Sequence, residues 1–537
     1  MTRKWLALVA ICLGYFMVIL DVTVVTVAVP AIGAGLGTGM TGLQWVVDGY
    51  TLAFAGLLLF AGGLGDRLGG KPVFVGGLVV FTVASIACGA APGTVVLVGA
   101  RLVQGVGAAL MVPASLSLLQ ATYGDQASRA RTFGIWGTIA GVAAGAGPVV
   151  GGVLVTALGW RSVFFVNLPI GLAALYLTFH HVRPAAPPSS AHVQPAAPPL
   201  PTHLRPAAPH LPDPHARPAA RELPDPHARP AARAAAPHPA DNPQLADTAG
   251  PQPADTVRPG PGRTVRPEPG GTVRAQPVGP RSRSLDVPAQ VVAAGSIAAL
   301  VGGLIQAGAT TWTNPCVLAL FGVFAAGTVL FLFLERRSGN PMLPLHLFRN
   351  GPFSASAAVG LLMNLGFYGF LFIAPLYFQH ARGFTPLQTG LALIPTSAMA
   401  ALSSGLAGNL TARAGPRRPM LIGLATAAAG LLAWYAAQPG TPYPALIIPM
   451  AAIGFGTAFT MPASTAAIMH AAPDSLGGAA SAVFNTARQI GSALGVALFG
   501  TFSATHLIPG LHTAALTATA AFLTAAALTM RFVKQLS

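Results

Sequence analysis

Two carboxylates and one guanidinium stand where a chain this apolar should carry none. Asp21, Asp48 and Arg101 interrupt long runs of Val, Leu, Ala and Gly. An ionisable group inside a lipid-embedded helix costs several kcal/mol and by default marks an ion or proton pathway. A neighbouring Arg favours the ionised carboxylate, and desolvation favours the protonated one. A carboxylate balanced between them can take a proton on one side of a barrier and release it on the other. Two plainer roles stay open: Asp48 as a helix-end residue among headgroups, and Arg101 as one half of a static ion pair that locks packing. Outside residues 182–285 the other acids are Asp66, Asp125, Asp286, Glu335 and Asp474, all at loop or helix-end positions.

Other chemistries find no footing. Cys12, Cys88 and Cys316 lie in separate apolar segments at no metal-ligand spacing and read as small buried hydrophobes. No nucleotide-binding loop or nucleophile elbow is found, so neither an enzyme nor direct ATP coupling is expected. No cofactor is called for, the proton gradient being the expected energy source.

The elements that must position these residues are membrane-spanning helices. The 537 residues are 53% hydrophobic and 8% charged, with mean hydropathy +0.62, against about 25% charged in soluble domains. Apolar segments of spanning length fall at 6–28, 44–63, 73–92, 94–120, 133–157 and 163–181. They resume at 288–308, 316–334, 353–378, 386–411, 419–437, 443–468, 477–503 and 512–530. That is fourteen. The first, Leu6 to Ala28, lacks a small-residue cleavage site and reads as a spanning helix, not a signal peptide.

The charge of +16 does not signal nucleic acid, because Lys and Arg gather at helix ends and in one linker. With the N-terminus inside, one face receives fourteen of them, from Arg3 and Lys4 to Arg531 and Lys534, and the other only Arg161 and Arg382. The positive-inside rule then places both termini in the cytoplasm of a bacterial inner membrane. At the helical rise, Asp21 and Arg101 lie roughly 10 Å, and Asp48 about 6 Å, below the outer ends of their helices.

Residues 182–285 are of different material. They hold 26 of 49 prolines, the repeat LPDPHARPAAR at 211–221 and 223–233, and three TVR units. Such a segment buries too little apolar surface to offset its ordering entropy, so a disordered cytoplasmic linker is expected. Its six histidines could bind metal and its arginines could touch anionic headgroups. Repeat expansion in a tolerant loop accounts for both more simply.

A second repeat organises the fold. G-x-L-x-D-R-x-G at 62–69 returns as G-x-L-x-A-R-x-G at 408–415, and G-x-G-x-A-x-x-x-P-A-S at 105–115 returns at 454–464. The duplication predicts an all-α membrane protein with two pseudo-symmetric six-helix bundles, 1–181 and 351–537, around an inserted helix pair at 286–350. Gly62, Asp66, Arg67, Gly69 and Lys71 occupy a short inner turn between helices two and three. There Asp66 and Arg67 could latch the inner side when it closes. The fifth helix carries Gly145, Gly147, Pro148, Gly151 and Gly152, glycines that permit close contact and a proline that frees carbonyls. Gln104, Trp136, Asn364 and Tyr368 could line a substrate pocket, although each could equally be packing.

Six motifs in order resemble the fourteen-spanner drug:proton antiporter family of the major facilitator superfamily. They are LDVTVVTVAVP (20–30), GGLGDRLGGKP (62–72), RLVQGVGAALMVPAS (101–115), GAGPVVGG (145–152), WRSVFFVNLPIG (160–171) and FNTARQIGSALG (484–495). The resemblance covers nearly the whole chain outside the linker. It implies export of hydrophobic or amphipathic, often cationic, drugs by alternating access in exchange for protons, by a monomer. It further implies a role for Arg101 in proton transfer. Asp21 is the favoured coupling acid, with Asp48 as partner or substitute. Ala412 stands where the first-half loop has Asp66, so any latch is asymmetric. A dedicated exporter of one endogenous metabolite, or a membrane sensor or scaffold that does not transport, are the competing readings.

Overall fold

A computed structural model describes residues 2–123, 126–182, 287–338, 343, 345–473 and 476–533. The linker expected at 182–285 therefore lies, apart from Val182, outside the described residues. Fourteen helical segments of 20 residues or more follow in order. The first six are α1 (Thr2–Leu36), α2 (Met40–Leu68), α3 (Gly70–Gly89), α4 (Thr94–Thr122), α5 (Gln126–Leu158) and α6 (Ser162–His181). Next come α7 (Val287–Ala309), α8 (Pro315–Arg337), α9 (Gly351–Ala381), α10 (Pro386–Ala414), α11 (Arg417–Ala436), α12 (Tyr443–Ala471), α13 (Gly477–Ser503) and α14 (Leu507–Phe532).

Among the described residues, twelve helices are long and apolar enough to cross a membrane. The two that do not count among them, α2 and α13, carry the polar residues of greatest interest. Gln44 and Asp48 lie on α2; Asn485, Thr486, Arg488, Gln489 and Ser492 lie on α13. These two helices pack against each other, so their polar positions meet protein rather than lipid. The periphery is the opposite. In α8 only 6% of the apolar window is buried, and Leu318, Val323, Val329, Leu330 and Phe333 lie exposed. In water that surface would be a large aggregation-prone patch; in a bilayer it is the lipid-facing side. Cys12 and Cys88 are buried as expected, but Cys316 is exposed, because it sits at the start of this peripheral helix.

The sequence repeat is realised as repeated packing. A Cβ at Gly105 or Gly107 of α4 would strike α2 at Ala53 (2.9 Å) and α3 at Phe81 N (2.6 Å). In the second copy, Gly454 of α12 abuts Thr396 of α10, and Gly456 abuts Gly423 and Ala427 of α11. The first glycine of G-x-G thus admits the second helix of each half, and the other admits the third. Only hydrogen fits at either place.

The halves touch toward one end, the end where α1 finishes and α2 begins. There Gln44 Nε2 donates to Ala497 O (2.7 Å), Gln379 Nε2 to Val27 O (3.0 Å), and Leu387 N to Thr156 Oγ1 (3.2 Å). α7 lies along the seam. It packs on α2 and α13 through a cluster of Leu52, Val301, Leu304, Ile305, Ala493 and Ala497.

Candidate functional site

Five helices bring a buried polar network together inside the first half. Asp21 of α1 and Arg101 of α4 form an ion pair at 2.5 Å, both about 1% exposed. The second carboxylate oxygen accepts from Gln104 Nε2 (2.9 Å) and Asn167 Nδ2 (2.8 Å). Arg101 also donates to Gln104 Oε1 (2.8 Å) and to the Val46 carbonyl (3.1 Å). Its guanidinium lies 4.4 Å from the Tyr50 ring centroid, a cation–π contact strengthened by the absence of water. Ser85 of α3 closes the network by accepting from Gln104 and Asn167 and donating to Phe164 O (2.9 Å). A buried charge is tolerated when it is paired and its remaining hydrogen-bonding sites are filled. The Asp21 carboxylate meets both conditions, while Asn167 Oδ1 at the edge of the network is buried without a hydrogen-bond partner.

Asp48 is the exception. It is fully buried on α2, and neither carboxylate oxygen has a hydrogen-bond partner among the described residues. The structure joins Asp21 to Arg101 and leaves Asp48 out of that pair. An ionised carboxylate so placed would be an uncompensated charge in a low-dielectric interior.

The other expected site residues fall into three groups. Gln104, expected to line a pocket, is instead a fully buried member of the Asp21 network. Asn364 is also buried, with its amide donating to Gly360 O within α9. Trp136 and Tyr368 are partly exposed near the middle of α5 and α9, and Trp136 stacks on Tyr15 at 3.8 Å.

At the turn between α2 and α3, Gly69 adopts φ +86°, a conformation that favours glycine, which lets α2 pass into α3 without a loop. Lys71 donates to Val182 O (2.6 Å) and Phe179 O (3.3 Å). It thereby caps the carbonyls that end α6, a helix of its own half. Arg67 is exposed and the side chain of Asp66 lies outside the described residues, while Gly62 faces open space.

The glycine-rich stretch of α5 has two faces. Gly147 and Gly151 lie against Thr23 and Val24 of α1, whereas Gly152 lies against Pro386 of α10 and Gly145 near Ser397. Gly390 of α10 in turn packs on the carbonyl of Pro148. One helix thus touches both halves where they close. A Cβ at Gly151 would come within 2.8 Å of the Val24 carbonyl, and backbone cannot rotate away. Gly151→Leu is therefore expected to wedge α1 from α5 and to lower the unfolding temperature while the protein still inserts; thermal unfolding in detergent, set beside membrane protein level, checks this.

Sequence reasoning missed Asn167, Ser85, Tyr15 and Arg488. Asn167 and Arg488 lie inside motifs already singled out (160–171 and 484–495), and that was the available signal.

Comparison with known proteins decides the family. The sequence profile of the Major Facilitator Superfamily matches residues 11–224 and 285–496. The chain belongs to that superfamily. It is 32% identical over 491 residues to the methylenomycin A resistance protein of Streptomyces coelicolor, covering 91% of this chain and 84% of the relative. It is 30% identical to the multidrug resistance protein Stp of Mycobacterium tuberculosis, covering 94% of this chain and 76% of that one. Among solved structures, a mutant of the nucleoside transporter NupG superposes with a TM-score of 0.59 at 11% identity, covering 98% of this chain and all of that one. At that identity the likeness concerns the fold alone, and the fold is the superfamily's all-helical one.

Proposed function

We propose that this chain exports hydrophobic or amphipathic small molecules, drugs or antibiotics among them, in exchange for protons. The observation that carries the coupling is the pair of carboxylates with opposite surroundings. Asp21 is paired with Arg101 and accepts hydrogen bonds from Gln104 and Asn167, while Asp48 is buried with no partner. Paired groups whose environments push them apart are the usual mark of divided proton roles. In this reading Asp48 carries the exchanged proton and the Asp21–Arg101 pair sets the field around it. Cross-half contacts at the end where α1 finishes and α2 begins support closure there, as one state of alternating access requires.

The distribution of Lys and Arg supports a bacterial inner membrane with both termini in the cytoplasm. Both halves come from one chain, so a monomer suffices. The division into two six-helix bundles, an inserted pair at 286–350 and a linker at 182–285 belongs to the same proposal, as do the latch at Asp66 and Arg67 and the absence of any cofactor.

Inverted membrane vesicles test it. Uptake of dyes and antibiotics is expected when a pH gradient is imposed, and is expected to vanish when nigericin collapses that gradient. Uptake indifferent to the gradient would remove proton coupling. No uptake of any compound in a broad panel would favour a single dedicated substrate or a protein that does not transport.

A further inference from the structure

Asp48 is buried between two seals of opposite chemistry. Along α2, Met40, Thr41 and Gly42 are partly exposed, and burial begins at Leu43 and Gln44. Gln44, Asp48 and Leu52 follow at intervals of four residues and so share one stripe of the helix. The outer two of them fix what that stripe faces. Gln44 Nε2 donates to Ala497 O of α13 (2.7 Å) and reaches Val496 O (3.5 Å). Leu52 packs in a cluster with Val301, Leu304 and Ile305 of α7 and with Ala493 and Ala497 of α13. Asp48 stands one turn from each and therefore faces the seam between α2 and α13.

On the Leu52 side the cluster is wholly apolar and offers a water no polar partner. On the other side, between Asp48 and the exposed start of α2, the stripe carries only the Gln44 amide. Its seat is shaped for it, since a Cβ at Gly500 would lie 2.5 Å from Gln44 Nε2 and 2.6 Å from its Cδ. Glycine there leaves room for the amide to cross from one half to the other. The bond carries no charge, so breaking it strands no buried ion. Gln44 lies about 6 Å, and Asp48 about 12 Å, from the start of α2. Of the helices that pack here, α7 has no titratable residue, and α13 has only Arg488, nine residues before Ala497. α4 has only Arg101, which is bound to Asp21 and lies over the Tyr50 ring of α2.

We propose that Gln44 is the outer gate of the proton route to Asp48. Parting α13 from α2 at the Gln44–Ala497 bond admits water to the carboxyl from the outer face, and remaking the bond seals the acid again. The step is a proton transfer between that water and the Asp48 carboxyl, with no other bond made or broken. This rests on the proton-exchange reading and deepens it, by assigning the α2–α13 seam as the path and a neutral amide as its closure.

The test reads water access rather than transport. In the full chain carrying Cys12→Ala, Cys88→Ala and Cys316→Ser, the thiol of Asp48→Cys is challenged with a membrane-impermeant methanethiosulfonate reagent. The reagent is added outside intact cells and, separately, outside inverted vesicles. Ala108→Cys, fully buried in the core of the first half, serves as the control. Labelling of Asp48→Cys from outside the cell is expected to rise at least ten-fold with Gln44→Met, which removes the donor at similar volume. Gly500→Val, which drives the amide from its seat, is expected to do the same, and either variant suffices if the other fails to insert. Labelling in inverted vesicles, and labelling of Ala108→Cys, should rise less than two-fold. An unchanged rate at position 48 would overturn the proposal, as would an equal rise from the inner side or at position 108. A ten-fold rise in a protein that exchanges protons with no compound would leave the gate standing and remove the exporter reading instead.

Discussion

Arg101→Ala is expected to be the most damaging single truncation in the protein. It removes one partner of a buried ion pair and leaves Asp21 with a charge that only Gln104 and Asn167 can meet. Breaking such a pair typically costs about 3–5 kcal/mol, because the surviving charge is stranded. The loss here should reach the upper part of that range, since the Val46 carbonyl and the Tyr50 face lose their partner as well. Thermal unfolding of the detergent-solubilised protein measures it. The double variant Arg101→Leu with Asp21→Asn should recover much of the stability, because no uncompensated charge remains, yet stay inactive in export. Equal destabilisation in the single and double variants would mean that the pair is not what holds these helices together.

Asp48→Asn should show the reverse behaviour. The side chain has no partner to lose, and an amide fills nearly the same volume as a neutral carboxyl, so stability should change by less than about 1 kcal/mol. Proton exchange, by contrast, requires a group that can ionise. Gradient-driven accumulation of substrate should therefore fall to the background of empty vesicles, while substrate binding stays within a few-fold of wild type. Full gradient-driven accumulation in Asp48→Asn would move the exchanged proton to Asp21.

Much of this architecture is legible in the sequence, and the limits of legibility have a physical pattern. Apolar runs give the helices: the segment read at 477–503 is a helix over the same residues, and that read at 443–468 ends three residues later. The G-x-G repeat reveals the duplication, and the fold then shows that its glycines admit the second and third helices of each half. What a sequence states about a buried charge is its cost; its partner comes from another helix. Asp21 and Arg101 are separated by eighty residues, and Asn167 by a further sixty-six. Nothing local to Asn167 announces that it donates to a carboxylate. The same gap explains Gln104, which lies three residues from Arg101 and so serves the charge network, although its type and depth suit a pocket equally well. Lys71 reads as part of the gate turn between helices two and three, and only the tertiary fold shows it closing the end of α6 in its own half.

The most direct test of the account follows protons rather than substrate. Inverted vesicles containing the full chain are energised, substrate is added, and the internal pH is followed with a trapped indicator. The account predicts that substrate addition to wild-type vesicles releases protons from the lumen, and that Asp48→Asn vesicles show no release while still binding the compound. Substrate accumulating in wild-type vesicles with no accompanying proton movement would contradict it.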